Sequence, residues 1–162
     1  MEKITRPKVL GGITVRAPTG CGSMYIQLNW YHGRLFEIFA TLGKSGGCSM
    51  TSIEALTRSI TAGLRRETPV PVEEYVDQLQ GVRCPSPYIG PPGEGSLSCP
   101  DAIATILKAY GMKTFEEIID LVEEKGDSNQ EDDDNEEYRA LTKIERLREE
   151  RDKLDPPQVI SS

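Results

Sequence analysis

Apolar residues fall at every second position from Met24 to Trp30, with Ile26 and Leu28 between them. That spacing is the period of a strand with one buried face. Before it, the run from Val9 to Arg16 alternates weakly, with Ile13 and Val15 on one face, and predicts a first strand. The stretch Ala17-Pro18-Thr19-Gly20-Cys21-Gly22 reads as the turn between the two. After a hairpin turn at Tyr31-His32-Gly33-Arg34, Phe36, Ile38 and Ala40 share one face and Leu35 and Phe39 the other. The third strand is therefore expected to be covered on both sides.

The period then changes. A Gly-rich loop from Leu42 to Cys48 leads into Ser49–Arg66, where Ile53, Leu56, Ile60 and Leu64 keep helical spacing, with Thr51 or Ser49 as the expected N-cap. Pro69 and Pro71 break the chain before a short helix over Val72–Leu79, closed by Gly81. The stretch Pro85–Gly95 holds four prolines and three glycines, which rules out regular structure. Ser98-Cys99-Pro100-Asp101 opens a third helix, with Pro100 in its first turn, Asp101 facing the positive end of the helix dipole, and Ile103, Ile106, Leu107 and Tyr110 toward the core. Thr114 and Glu117 form a capping box for a fourth, whose apolar residues are Phe115, Ile118, Ile119 and Val122.

These elements predict an α+β fold, a small antiparallel sheet of about three strands packed against three to four helices, plus a C-terminal helix. The expected organisation is an N-terminal lead-in over residues 1–8, one domain over 9–125, an acidic linker over 126–135, a charged helix over 136–155 and a disordered tail over 156–162. Leu141, Ile144, Leu147 and Leu154 give that last helix a narrow apolar stripe, suited to docking or to a second copy of the chain.

Charge separates the two parts. Of a formal net −7, residues 127–162 contribute 12 acidic and six basic side chains, so the body is nearly neutral. A neutral body with an acidic tail offers no positive field for a nucleic-acid backbone or an anionic membrane. The N-terminal residues lack the apolar stretch of a signal peptide and no segment approaches the length of a membrane span, so the expected location is cytoplasmic.

Candidate chemistry rests on Cys21, Cys48, Cys84 and Cys99, each beside Gly or Pro at a loop or helix start. Four thiolates on irregular backbone can converge on a tetrahedral zinc ion. No CxxC knuckle occurs, however, and four thiols packed as small hydrophobes fit the same spacing. Cys48, at a helix start near Lys44, is also placed for a stabilised thiolate. A second group, Lys44, Ser45, Gly46 and Gly47 with Arg83, is the candidate nucleotide or phosphate cradle, since backbone N–H groups at a helix start bind anions. It is not a Walker A loop, because Ile38 stands where that motif needs glycine. The single histidine, His32, sits in a hairpin turn, so a His-based triad is hard to build. The run Glu131-Asp132-Asp133-Asp134 reads as a solvated charge run.

Several blocks occur in a fixed order: Arg6-Pro7 and Leu10, then Thr19-Gly20-Cys21-Gly22-Ser23-Met24-Tyr25, then Phe36 to Cys48, then Gly81-Val82-Arg83-Cys84-Pro85-Ser86-Pro87, then Leu97-Ser98-Cys99-Pro100-Asp101-Ala102-Ile103. This set resembles the TSCPD domain found at the C-terminus of adenosylcobalamin-dependent (class II) ribonucleotide reductases, in its stand-alone four-cysteine version, with Leu97 where the naming motif has threonine. All four cysteines fall on the family's cysteine positions. The resemblance implies an accessory or regulatory module related to ribonucleotide reduction, with a large reductase subunit as partner and no catalysis alone. The large barrel that would hold cobalamin and substrate needs roughly 250 residues, so this chain itself is expected to bind no cobalamin. The alternatives are a protein that binds a nucleotide or other phosphorylated small molecule, and a sulfur or iron–sulfur carrier using Cys48. The order of hairpin, Gly-Gly-Cys and long helix looks like that of iron–sulfur scaffold proteins, as fold analogy only.

Overall fold

The computed structural model describes residues 2–43, 47–91 and 95–126. The linker beyond Gly126, the predicted C-terminal helix and the tail, together with Lys44, Ser45 and Gly46, lie outside the described residues. The chain divides into two units, Met1–Val122 and Glu123–Ser162, and the account below concerns the first.

Three strands, β1 (Gly11–Thr19), β2 (Gly22–Tyr31) and β3 (Arg34–Leu42), form an antiparallel meander in sequence order. Helices α1 (Cys48–Leu64), α2 (Val72–Leu79), α3 (Cys99–Ile106) and α4 (Phe115–Gly126) follow. The α+β reading and the count of strands hold. One sheet face carries Met24, Ile26, Leu28 and Trp30 of β2 with Ile38, Ala40 and Leu42 of β3, all buried. Ile53, Ile60 and Leu64 of α1, Val76 of α2, Ile103 of α3 and Ile118 of α4 join them in one core.

Several details depart from the sequence expectation. β1 does not stop at Arg16 but pairs with β2 through Pro18↔Ser23 and Thr19↔Gly22, leaving only Gly20 and Cys21 as the turn. Pro18 is tolerated because β1 is an edge strand and needs no inward N–H there. The β2–β3 hairpin has positive φ at both His32 and Gly33, the geometry of a tight two-residue turn that matches strand twist. A bulge then shifts register, so that Asn29 faces Glu37 while Trp30 faces Leu35. Phe36 is the extra residue, and Leu35 is thereby returned to the core face with Ile38 rather than lying opposite it. Phe39, expected to be covered, is 40% exposed.

On the other sheet face Glu37 is fully buried. Its carboxylate accepts from Arg6 Nε at 2.9 and 3.1 Å, from Arg6 Nη2 at 2.9 Å and from Asn29 Nδ2 at 2.8 Å. Ile4 N donates to Arg65 O at 2.8 Å. The lead-in is thus pinned along the sheet and the end of α1.

α1 begins one residue before the expected span, at Cys48, with Gly47 as N-cap and no side-chain cap. Ser49 and Thr51 therefore lie inside the first turn, and Thr51 Oγ1 donates back to Gly47 O. Farther along, Thr61 presents its hydroxyl to β3, accepting from Ile38 N at 3.0 Å and donating to Ile38 O at 2.9 Å. α2 spans the predicted residues. α3 widens into a π turn over Leu107–Gly111, which rephases the chain so that Leu107 is buried while Ile106 and Tyr110 are only partly so. In α4 the capping box forms as expected, Thr114 N donating to Glu117 Oε2 at 2.7 Å. Phe115 packs on Trp30 with ring centroids 5.7 Å apart, and Ile118 is buried. Ile119 and Val122, read as part of that apolar face, are exposed.

Candidate functional site

Two hairpin-and-helix junctions near the cysteines are built from short polar hydrogen bonds. Cys21 occupies the two-residue β1–β2 turn, where Thr19 Oγ1 donates to Gly22 O at 2.8 Å and accepts from Cys21 N at 3.3 Å. Gly20, beside it, lies against the backbone of Ser86, leaving no room for a Cβ. Because Ser86 is two residues past Cys84, this contact fixes the Cys21 turn against the Cys84 loop. Gly20→Ala is expected to force the two apart. A reduced unfolding midpoint, worth about 1–3 kcal/mol for overpacking, is the predicted outcome of a denaturant titration.

The block Leu97-Ser98-Cys99-Pro100-Asp101 forms the second junction. Ser98 is the N-cap of α3, accepting from Asp101 N at 3.2 Å and donating to Val82 O at 2.6 Å. Pro100 sits in the first turn, where its missing N–H has no helical partner to lose. Asp101, only 8% exposed, does more than complement a dipole. Its two carboxylate oxygens accept from Gly81 N at 2.7 Å and Leu97 N at 2.9 Å, and Cys84 N donates to Leu97 O at 3.1 Å. One buried carboxylate therefore ties the end of α2, the Cys84 loop and the start of α3.

These junctions bring the four cysteines to one place. Cys21, Cys48, Cys84 and Cys99 line a single cavity of about 330 Å³, with Ile53, Leu56 and Pro100 as its apolar walls. Cys48 and Cys99 are the first residues of α1 and α3, so two helix N-termini, each carrying a partial positive charge, meet the same space. Cys21 and Cys48 are exposed and Cys84 is partly so, while Cys99 is buried. Cys99 Sγ donates to Thr19 Oγ1 at 3.6 Å. Burial pushes the Cys99 thiol up, the Thr19 hydrogen bond opposes this, and the nearby Cys21 and Cys84 raise it further. Cys84 Sγ donates to Ser86 O at 3.2 Å. Among the described residues no group of three or more His, Cys, Asp or Glu side chains is already drawn around one point as a single-ion site requires.

The residues of the candidate anion cradle are placed differently. Gly47 caps α1 beside the cysteine cavity, whereas Arg83 lines a separate cleft of about 510 Å³ with Tyr88 and Ile89. His32 stays in its hairpin turn with its ring against Tyr31. Sequence reasoning missed Thr19, Gly20 and the bridging role of Asp101. The signal for the last was present in the Ser-Cys-Pro-Asp run, whose acidic residue stands three positions after the cap, where a carboxylate can reach back to backbone N–H groups ahead of the helix.

A family model of the TSCPD domain matches residues 2–111. The chain belongs to the TSCPD domain family. This domain is found in ribonucleotide reductase, so the chain carries a module related to that enzyme. No curated protein and no solved structure gives a significant match. In this TSCPD domain the naming motif is Leu97-Ser98-Cys99-Pro100-Asp101, and its cap, first-turn proline and buried carboxylate together hold Cys99 in the cavity wall. The leucine at the first position enters the site through its backbone, N–H to Asp101 and C=O to Cys84. No helix among the described residues is long and apolar enough to cross a membrane.

Proposed function

We propose that this TSCPD domain is an accessory or regulatory module of ribonucleotide reduction, without catalysis of its own, whose working part is a thiolate metal centre held by Cys21, Cys48, Cys84 and Cys99. The observation that carries the reading is the meeting of four cysteines from four separate segments on one cavity in a chain of this family. The donor set fits a thiophilic metal, and zinc is its simplest occupant. A bound metal supplies a fixed cross-link among the β1–β2 turn, the Cys84 loop and the starts of α1 and α3. The helix N-termini offset part of the excess negative charge of four thiolates.

Cys99 gives the metal reading a sign. Its thiol holds its proton above the ordinary cysteine range because it is buried, and a metal ion must displace that proton. Metal affinity is therefore expected to strengthen as pH rises, as measured by competition with a chromophoric chelator across a pH series. A flat profile would count against Cys99 as a ligand.

The function as a whole is tested by purifying the full chain without chelator, measuring bound metal, and asking whether a large ribonucleotide reductase subunit co-purifies with it. Association that persists at moderate salt supports the module. No association and unchanged reductase activity on addition of the chain would overturn it. The nucleotide-binding reading has less behind it, since Arg83 lines a different depression from the one whose wall begins at Cys48, next to Gly47.

A further inference from the structure

We infer that the outer face of the sheet is a stacking platform for single-stranded nucleic acid. The core and the buried residues of the helices lie on the other face. On the outer face Thr14 and Arg16 of β1, Tyr25 and Gln27 of β2, and Phe39 and Thr41 of β3 are all exposed. Tyr25 and Phe39 are 49% and 40% exposed, so two aromatic rings stand on a bare sheet.

The register sets these six side chains in two neighbouring rows. Arg16, Tyr25 and Thr41 face one another across the strands, and Thr14, Gln27 and Phe39 do so two residues along. Tyr25 and Phe39 are therefore diagonal neighbours, about 7–8 Å apart by backbone position. One planar ring cannot lie flat on both, whereas two successive unstacked bases can take one each. The other groups in the two rows include an amide and two hydroxyls, able to bond base edges. Arg16 stands beside Tyr25 and donates from Nε and Nη2 to the neutral Ser23 hydroxyl at 3.2 and 3.1 Å. That bond orients the guanidinium without neutralising it, which leaves its charge for a phosphate.

Charge selects the occupant. The expectation against a nucleic-acid backbone rested on the charge of the chain and of its body as wholes, and within the body that charge is unevenly divided. Residues 2–43, the lead-in and the sheet, carry five basic and two acidic side chains, and one of the acids is Glu37, buried against Arg6. Residues 47–122, the helical side, carry six basic and ten acidic. The sheet side is net positive and the helical side net negative. A second copy docked through the same face would set two positive sheets together and bury Thr14, Gln27 and Thr41 from water. An acidic peptide answers the charge but not the two rings, which any base can use because each has a π face.

The test uses the full chain with fluorescently labelled oligothymidylate and oligouridylate of about 12 nucleotides. A duplex of equal length and an oligoglutamate serve as comparisons, and binding is read by anisotropy at low and moderate salt. The single strands are expected to bind about tenfold or more tighter than the duplex. Affinity is expected to fall about fivefold or more in Tyr25→Ala and likewise in Phe39→Ala, while Tyr25→Phe, which keeps the ring, stays close to wild type. Arg16→Gln is expected to weaken both single strands alike and to reduce the salt slope by about one. All three positions are exposed, and matching melting curves confirm that the variants fold. No binding up to about 100 µM, the weak limit for nonspecific nucleic-acid binding, would overturn the platform. So would single-strand binding that both alanine variants retain, or oligoglutamate bound as tightly as the oligonucleotides, since charge alone would then account for it. Self-association lost in Phe39→Ala, with no oligonucleotide bound, would overturn it too and assign the face to a second copy. None of these outcomes bears on the thiolate-metal reading.

Discussion

Asp101→Ala is expected to lower the unfolding free energy of the metal-free chain by about 3–5 kcal/mol, the largest loss from a single substitution outside the apolar core. The carboxylate is nearly buried and accepts from Gly81 N and Leu97 N. Hydrogen bonds to a charged group contribute about 1.5–3 kcal/mol each, and removal leaves both amides without their acceptor. Against a typical total of 5–15 kcal/mol, that is enough to unfold a marginal domain at elevated temperature. Asp101→Asn keeps one acceptor and turns the other into a donor, so it should fall between wild type and alanine. A urea titration followed by far-UV circular dichroism measures both. A loss below about 1 kcal/mol for alanine would mean that water replaces the carboxylate and that the bridge between the cysteine loops is weaker than its geometry indicates.

The second large effect is expected at Thr61. Valine has the same shape but no hydroxyl, and would strip both bonds from the Ile38 backbone in a buried setting. Two unsatisfied groups at about 1–3 kcal/mol each predict a loss of about 2–4 kcal/mol, whereas Thr61→Ser keeps the hydroxyl and should recover most of it. Amide exchange separates this from a packing defect. In Thr61→Val the Ile38 N–H should exchange many times faster than its neighbours in β3. Equal protection of that amide in both proteins would show that the helix hydroxyl is not its partner.

How far the sequence could be read depended on whether a residue's role was local. The alternation from Met24 to Trp30, the His32-Gly33 turn, the Thr114–Glu117 box and the limits of α2 are set by neighbours a few positions away, and all were legible. Pro18 was not, because a proline that breaks a central strand is harmless on an edge, and strand order is a property of the whole sheet. The bulge at Phe36 displaced one residue and so moved Leu35 alone to the core face, a change that leaves no compositional mark. Thr61 and Glu37 looked like ordinary polar positions, because their partners at Ile38 and Arg6 lie 23 and 31 residues away. The cysteines were found by their number and setting, and their place in the family was read from the ordered blocks. Spacing alone could not bring them together, since the contacts that do so run through Gly20, Ser86 and Asp101.

The hydroxyl of Thr61 has a consequence for how the domain meets other chains. Ile38 would otherwise present a free N–H and C=O along the outer margin of β3, and the Leu42 N–H is likewise engaged, by Met50 Sδ at 3.3 Å. An extended peptide that sought to add a fourth strand there would have to evict α1 first. Recognition on that flank must therefore proceed through side chains and shape, and lateral growth of the sheet into fibrils is discouraged at the same margin.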